Sequence, residues 1–82
     1  MTGATLSLLI VARNEAGRIA DCIESGLWAD EIVVVLDRSE DDTGVIAERL
    51  GAKIVTGGWD NEGERRTAGI ASCSCDWILE LD

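Results

Sequence analysis

The chain has 82 residues, fewer than most α/β domains, and 46% of them are apolar, a globular share that excludes disorder. Sixteen acidic residues against seven basic ones leave a net charge of −9. That excludes the cationic face with which a nonspecific nucleic-acid binder displaces counterions. No stretch nears the roughly 20 apolar residues that cross a bilayer, and the start lacks the basic region and cleavage site of a secretory signal.

Cys22, Cys73 and Cys75 form an odd set without Cys-x-x-Cys spacing, and no histidine is present. A zinc site is therefore not expected. Reduced, structural cysteines in a cytoplasmic protein are.

In chain order, residues 5–12 read as a strand, followed by a helix over residues 16–25 with Ile19, Ala20 and Ile23 on one face and Gly26 as its stop. A second strand follows over residues 31–36. Like the first, it is rich in Val, Ile and Leu without clean alternation, which suits strands covered on both faces. The next helix, residues 42–50, turns Val45, Ile46, Ala47 and Leu50 inward. Gly51 caps its end, and Asp41 or Asp42 meets its N-terminal amides. A strand over residues 53–56, a helix over residues 63–73 carrying Ala68, Ile70 and Ala71, and a buried-type strand over residues 77–81 complete the pattern.

Repeats of this length define an α/β fold, a Rossmann-like parallel sheet of alternating βα units with right-handed crossovers. With no proline, low-complexity tract or linker, residues 1–82 are expected to form one continuous unit. In an open α/β sheet, ligands sit beyond the carboxyl ends of the strands. The last strand delivers Asp82 to that place, so the chain is expected to be the front portion of a larger enzyme, incomplete at its C-terminus. Uncovered apolar faces should then favour association or partial unfolding.

The loops at those carboxyl ends lack the Gly-x-Gly-x-x-Gly and Gly-x-x-x-x-Gly-Lys-Ser/Thr patterns. They carry polar and acidic groups instead: Arg13-Asn14-Glu15, then Asp37-Arg38-Ser39-Glu40-Asp41-Asp42-Thr43, then Asp82. Carboxylates repel phosphate unless a divalent cation lies between them, and hard oxygen ligands suit magnesium or manganese. Arg13, Arg18, Arg38, Arg65 and Arg66 gather at the same rim, which suits a small anionic ligand such as a phosphate ester. Only Arg49 and Lys53 lie at opposite ends of elements.

Leu8-Leu9-Ile10-Val11-Ala12-Arg13-Asn14-Glu15 resembles the opening strand and Asn-Glu loop of family 2 glycosyltransferases. Residues 31–43 resemble their second strand and acidic Ser-x-Asp-x-Thr loop. Gly63-Glu64-Arg65-Arg66-Thr67-Ala68-Gly69-Ile70 and Asp76-Trp77-Ile78-Leu79-Glu80-Leu81-Asp82 are similar to the arginine-bearing helix and the strand leading into Asp-x-Asp. The nearest likeness is to bacterial enzymes that build lipopolysaccharide core and related cell-surface glycans. The resemblance implies the N-terminal nucleotide-binding part of a GT-A fold and inverting transfer from a nucleotide-diphosphate sugar to a hydroxyl of a glycan or lipid-linked acceptor. It implies a divalent cation, Mg2+ or Mn2+, and a cytoplasmic enzyme at the inner face of the membrane. The implied donor-site residues are Val11, Arg13, Asn14, Glu15, Asp37, Arg66 and Asp82. Val11 and Arg13 stand beside the base, Asp37 hydrogen-bonds it, Arg66 approaches the nucleotide, and Asp82 lies near ribose and metal. Leu36 stands where many members carry another Asp, and Thr67 where many carry Asn. In the family the second Asp, the general base and the acceptor pocket follow the position of Asp82, so residues 1–82 alone are expected to be inactive.

Simpler roles stand beside these. Asp37 can merely start a turn, Asn14 and Glu15 can open the first helix, and Asp41 and Asp42 suit helix capping better than ligation. Trp28, Trp59 and Trp77 suit packing better than sugar stacking. A noncatalytic nucleotide-binding module is the alternative function. A phosphate-accepting receiver domain expects paired acidic residues after the first strand and a late lysine. Here that loop reads Arg13-Asn14-Glu15, and the sole lysine is Lys53.

Overall fold

The structure, a computed structural model, describes residues 3–81. Strands β1 (Leu6–Ala12), β2 (Glu31–Asp37), β3 (Lys53–Gly57) and β4 (Trp77–Leu81) alternate with helices α1 (Ile19–Ser25), α2 (Thr43–Arg49) and α3 (Glu62–Ser72). All strand pairs are parallel, in the order β3-β2-β1-β4. The α/β architecture read from the sequence is the one that forms.

Side chains alternate across each strand, and that period separates two cores. Leu8, Ile10 and Ala12 of β1 and Ile32, Val34 and Leu36 of β2 face Ile19 and Ile23 of α1 and Ala47 of α2. Leu9, Val33 and Val35 face the opposite side, where Trp59 and Cys73 pack. There α3 crosses the sheet: a Cβ added at Gly69 would come 2.8 Å from Val35 Cγ2 and 2.9 Å from Leu9 Cδ1. The absent side chain at Gly69 is what lets α3 lie that close.

Several boundaries depart from the sequence reading. α1 begins at Ile19 rather than residue 16. The segment ahead of it is a tight turn in which the Arg18 and Ile19 amides both donate to Glu15 O at 2.9 Å. α3 starts at Glu62 because Asn61 caps it, its side-chain oxygen accepting from the Glu64 amide at 2.8 Å. Gly51, at φ 92°, ends α2 as expected. Val45, expected inward, is exposed, and so is Ile70. In α2 the buried pair is Thr43 and Ala47, one turn apart, and Val45 lies on the other side of the helix. In α3 the close approach at Gly69 sets the buried face, and Ile70 is rotated about 100° from it.

β4 differs most from expectation. It lies at the sheet edge beside β1, with Trp77 66% and Leu79 42% exposed. Among the described residues, no helix is long and apolar enough to cross a membrane.

Candidate functional site

The strand order reverses at β1. The chain passes from β1 to β2 and β3 on one side, then crosses to β4 on the other. Open α/β sheets hold ligands outside the strand carboxyl ends at such a reversal. Val11 and Ala12 of β1, Leu81 of β4 and Asp37 of β2 stand at those ends. Asp82 lies outside the described residues.

Asp37 closes β2 on the α3 side of the sheet and is only 5% exposed. Its Oδ1 accepts from Arg38 Nη1 at 3.2 Å and from the Trp59 amide at 3.4 Å, and its Oδ2 accepts from Arg65 Nη1 at 3.2 Å. Burial pushes this carboxyl up. The hydrogen bonds from Arg65 and Trp59 and the charges of Arg38 and Arg65 outweigh that effect, so its pKa lies below the ordinary carboxylate value. A carboxylate has roughly four lone-pair sites, so three donors leave room on Oδ2 for one more. Asp37 is therefore both a held structural anion and an available acceptor.

Arg38 is held in turn. It sits in the left-handed region at φ 55°, which a non-glycine residue rarely adopts. Its amide donates to Gly57 O at 2.8 Å, and its Nη2 donates to Trp59 O at 2.8 Å. Trp59 thereby gains both main-chain groups as fixed partners, while its ring packs on the Leu9–Val33–Val35 core. That is the packing role expected for it.

Arg66 Nη2 pairs with Glu80 Oε2 at 2.7 Å, and a shallow cleft between α3 and β4 is walled by Val11, Arg65, Arg66, Glu80 and Leu81. Val11 also borders a second cleft with Glu15, Arg18 and Cys22 on the α1 side of β1. The structure thus brings Val11 and Arg66 to one cleft, with Asp37 tied to its wall through Arg65. Arg13 is exposed at the tip of β1 and has no ion pair among the described residues.

Asn14 and Glu15 meet a different set of groups. Asn14, at φ 51°, donates its amide to Ser39 Oγ at 3.1 Å and accepts the Glu40 amide on Oδ1 at 2.8 Å. The Glu15 amide donates to Thr43 Oγ1 at 2.9 Å, and Glu15 Oε2 pairs with Arg18 at 3.0 Å. Asp41 completes the clasp. Its Oδ2 accepts the Ala16 amide at 3.1 Å, while its Oδ1 accepts the Thr43 amide at 3.0 Å, the Thr43 hydroxyl, and Ser39 Oγ at 3.3 Å. The Thr43 hydroxyl leads the groups that hold the Asp41 carboxyl below its ordinary range. Asp42 occupies the N-cap position of α2 with no side-chain bond, so Asp41 does the capping, and it bridges two loops as it does so.

Arg65 was missing from the sequence-read donor-site residues. It lies four residues before Gly69 and eight before Cys73, on the stripe of α3 that meets the sheet. The signal was the spacing from a glycine, not from an apolar residue. The arginine-rich rim is also less cationic than its sequence suggests, because Arg18, Arg38, Arg65 and Arg66 each pair with a carboxylate. Among the described residues, no group of three His, Cys, Asp or Glu side chains converges to hold a metal. Asp82, the metal residue expected from the sequence, lies outside the described residues.

Comparison with known proteins gives this geometry its family. Residues 7–82 match the family model for Glycosyl transferase family 2. An uncharacterized glycosyltransferase from Rickettsia felis is 41% identical over 78 residues, covering 94% of this chain and 28% of that protein. Glucosyl-3-phosphoglycerate synthase from Mycobacterium tuberculosis, solved with Mn2+, UDP-glucose and phosphoglyceric acid, superimposes with a TM-score of 0.79 at 28% identity. That match covers 98% of this chain and 34% of the synthase. The chain belongs to glycosyl transferase family 2, and its α/β sheet is that of GT-A glycosyltransferases. It spans about a quarter to a third of the length of these proteins.

Proposed function

We propose that the chain is the N-terminal donor-binding part of an inverting glycosyltransferase, which moves a sugar from a nucleotide-diphosphate sugar to a hydroxyl of a cell-surface glycan or lipopolysaccharide. The observation that carries this reading is Asp37: a nearly buried carboxylate at the carboxyl end of β2, next to the strand-order reversal at β1, anchored by two arginines and keeping one acceptor site unfilled. An acceptor so placed suits a base N–H, which it would bind strongly because the site is desolvated. Val11 and Arg13 flank the base, and Arg66 lies along the nucleotide. Asn14 and Glu15 shape the loop beneath it.

Asp82 is assigned the ribose and the metal. A divalent cation, Mg2+ or Mn2+, supplies charge neutralisation of the departing diphosphate when bound; the M. tuberculosis synthase was solved with Mn2+ and UDP-glucose. In the reaction the acceptor oxygen attacks the anomeric carbon and loses its proton to a general base, while the nucleoside diphosphate leaves with the bonding electrons. In this reading the base and the acceptor pocket lie outside residues 1–82, which bind donor and do not turn it over. The support is the share of its relatives that the chain covers.

Calorimetric titration with UDP, GDP, CDP and UDP-glucose, with and without Mn2+, tests the reading. One nucleoside diphosphate should bind, and Asp37→Asn should weaken it about 10- to 100-fold, the value of a charge-assisted hydrogen bond. No binding of any nucleotide would refute donor binding. Transfer of labelled sugar by the purified 82-residue protein would refute the division of labour.

A further inference from the structure

Arg65 carries one buried hydrogen-bond donor that nothing in the protein uses. Its Nη1 is fixed on Asp37 Oδ2 at 3.2 Å. Its Nε N–H is buried and has no acceptor. A buried donor without a partner has given up water and received nothing in return, so it destabilises the resting protein. Guanidinium groups are commonly satisfied along their edges because the planar fork matches oxygen acceptors.

Three features give this orphan a direction. Arg65 walls the cleft between α3 and β4, together with Val11, Arg66, Glu80 and Leu81. Its side chain is 28% exposed, so part of it is open to that cleft, although Nε itself is covered. Arg66, its neighbour, is engaged by Glu80 at 2.7 Å and is 59% exposed. Of the two arginines, the one with a buried, unfilled donor is the one mounted on Asp37.

We infer that Arg65 is a ligand-binding residue, whose guanidinium donates to an oxygen acceptor of the nucleotide, either a base carbonyl or a phosphate oxygen. The inference rests on the donor-site reading above and adds a residue to it. Asp37 and Arg65 then act as one unit. The carboxylate holds the guanidinium in place, its remaining Oδ2 site takes an N–H, and the guanidinium offers a donor beside it. Ordering costs little on binding, because the ion pair has already fixed the arginine. The arrangement also accounts for why α3 approaches the sheet so closely at Gly69, one turn beyond Arg65: the approach delivers the guanidinium to the tip of β2.

Arg65→Lys separates this role from simple neutralisation of Asp37. Lysine retains a positive charge for the carboxylate but has no second, planar donor. UDP, uridine and inorganic pyrophosphate are titrated into the wild type, Arg65→Lys, Arg65→Gln and Arg49→Ala, the last a control on exposed α2 surface. Circular dichroism and melting check that each variant folds. UDP affinity should fall about 10- to 100-fold in Arg65→Lys and Arg65→Gln, and stay unchanged in Arg49→Ala. A parallel loss for uridine identifies a base carbonyl as the acceptor; a loss confined to UDP and pyrophosphate identifies a phosphate. Wild-type affinity in Arg65→Lys, with the fold intact, overturns the inference and leaves the donor-site reading standing. If Arg65→Lys unfolds, Arg65→Gln decides in the same way. Failure of the wild type to bind any of the three overturns both.

Discussion

Gly69 of α3 and Val35 of β2 approach so closely that a Cβ on the glycine would lie 2.8 Å from Val35 Cγ2. Val35 is fully buried, and Leu9, the other neighbour, is 1% exposed, so neither has free space to move into. Gly69→Ala gains helix propensity, worth about 1 kcal/mol, but incurs overpacking of typically 1–3 kcal/mol. A net loss of up to about 2 kcal/mol is expected, and a larger one for Gly69→Val. Urea denaturation measures it, with Gly17→Ala as a reference, since nothing lies within 4 Å of a Cβ there. Equal or higher stability of Gly69→Ala would show that α3 can lift off the sheet without loss.

At the opposite end of the sheet, Ser7 Oγ donates to Glu31 Oε1 at 2.7 Å, and the Ser74 amide and hydroxyl donate to the same carboxylate at 2.8 and 2.9 Å. Ser7 leads the groups that lower the Glu31 pKa below its ordinary 4.5. A lowered folded pKa means that the stabilisation is fully present above the unfolded value and is lost as pH falls through the folded one. Stability should therefore drop on acidification below about pH 4.5, with a shallower drop in Glu31→Gln. Glu31→Ala should lose about 1–3 kcal/mol at neutral pH. Nucleotide affinity should not change, because Glu31 starts β2 and the donor site lies past its end. Melting curves across pH 3–7 check the first expectation; an identical acid slope in Glu31→Gln would remove Glu31 from the account.

The sequence made the alternation of strands and helices legible because buried parallel strands and amphipathic helices leave opposite periodic marks. It also placed Asp37 at a strand tip, since a carboxylate ending a run of Val, Ile and Leu has few other readings. What it concealed followed from contacts between distant segments. Arg65 and Arg66 are neighbours in sequence, and only the glycine contact of α3 with Leu9 and Val35 decides which of them meets Asp37. Asp41 looked like a helix cap because capping is local. That it also holds the Ala16 amide across 25 positions has no local signature. β4 is as apolar as the inner strands, and its edge position comes from topology rather than composition.

The clasp centred on Asp41 predicts a coupled loop. Ala16 and Thr43 amides both end on one carboxylate, and the Glu15 amide ends on the Thr43 hydroxyl. Asp41→Ala removes the first two acceptors together and frees the hydroxyl that orients the third. Amide hydrogen exchange at Ala16, Glu15 and Thr43 should therefore accelerate together, by about tenfold, while the β1 core amides remain protected. Thr43→Val should accelerate Glu15 but leave Ala16 on Asp41. Independent responses at Ala16 and Glu15 in Asp41→Ala would mean that the two loops are not one unit.

β4 carries the last expectation. Paired to β1 along one side only, it has Trp77, Ile78 and Leu79 exposed in succession. A parallel edge with free backbone groups and apolar side chains on both faces is a template for pairing with another chain. A net charge of −9 opposes that pairing, and salt screens the repulsion. Salt weakens the repulsion and leaves the apolar and backbone pairing standing, so ionic strength separates them. Sedimentation velocity should show association that grows with protein concentration and strengthens between about 0.01 and 0.15 M salt, as the Debye length shrinks from about 30 to 8 Å. Leu79→Lys should weaken it, because a charge on an edge strand must be desolvated before a second strand can dock. Leu79 faces the Leu8 side of the sheet, while Ile78 faces the Ser7 side. A stronger effect of Ile78→Lys than of Leu79→Lys would place the contact on the α3 face. A monomer at every concentration and salt, for wild type and variants alike, would mean that the exposed strand is too short and too charged around its rim to recruit a partner.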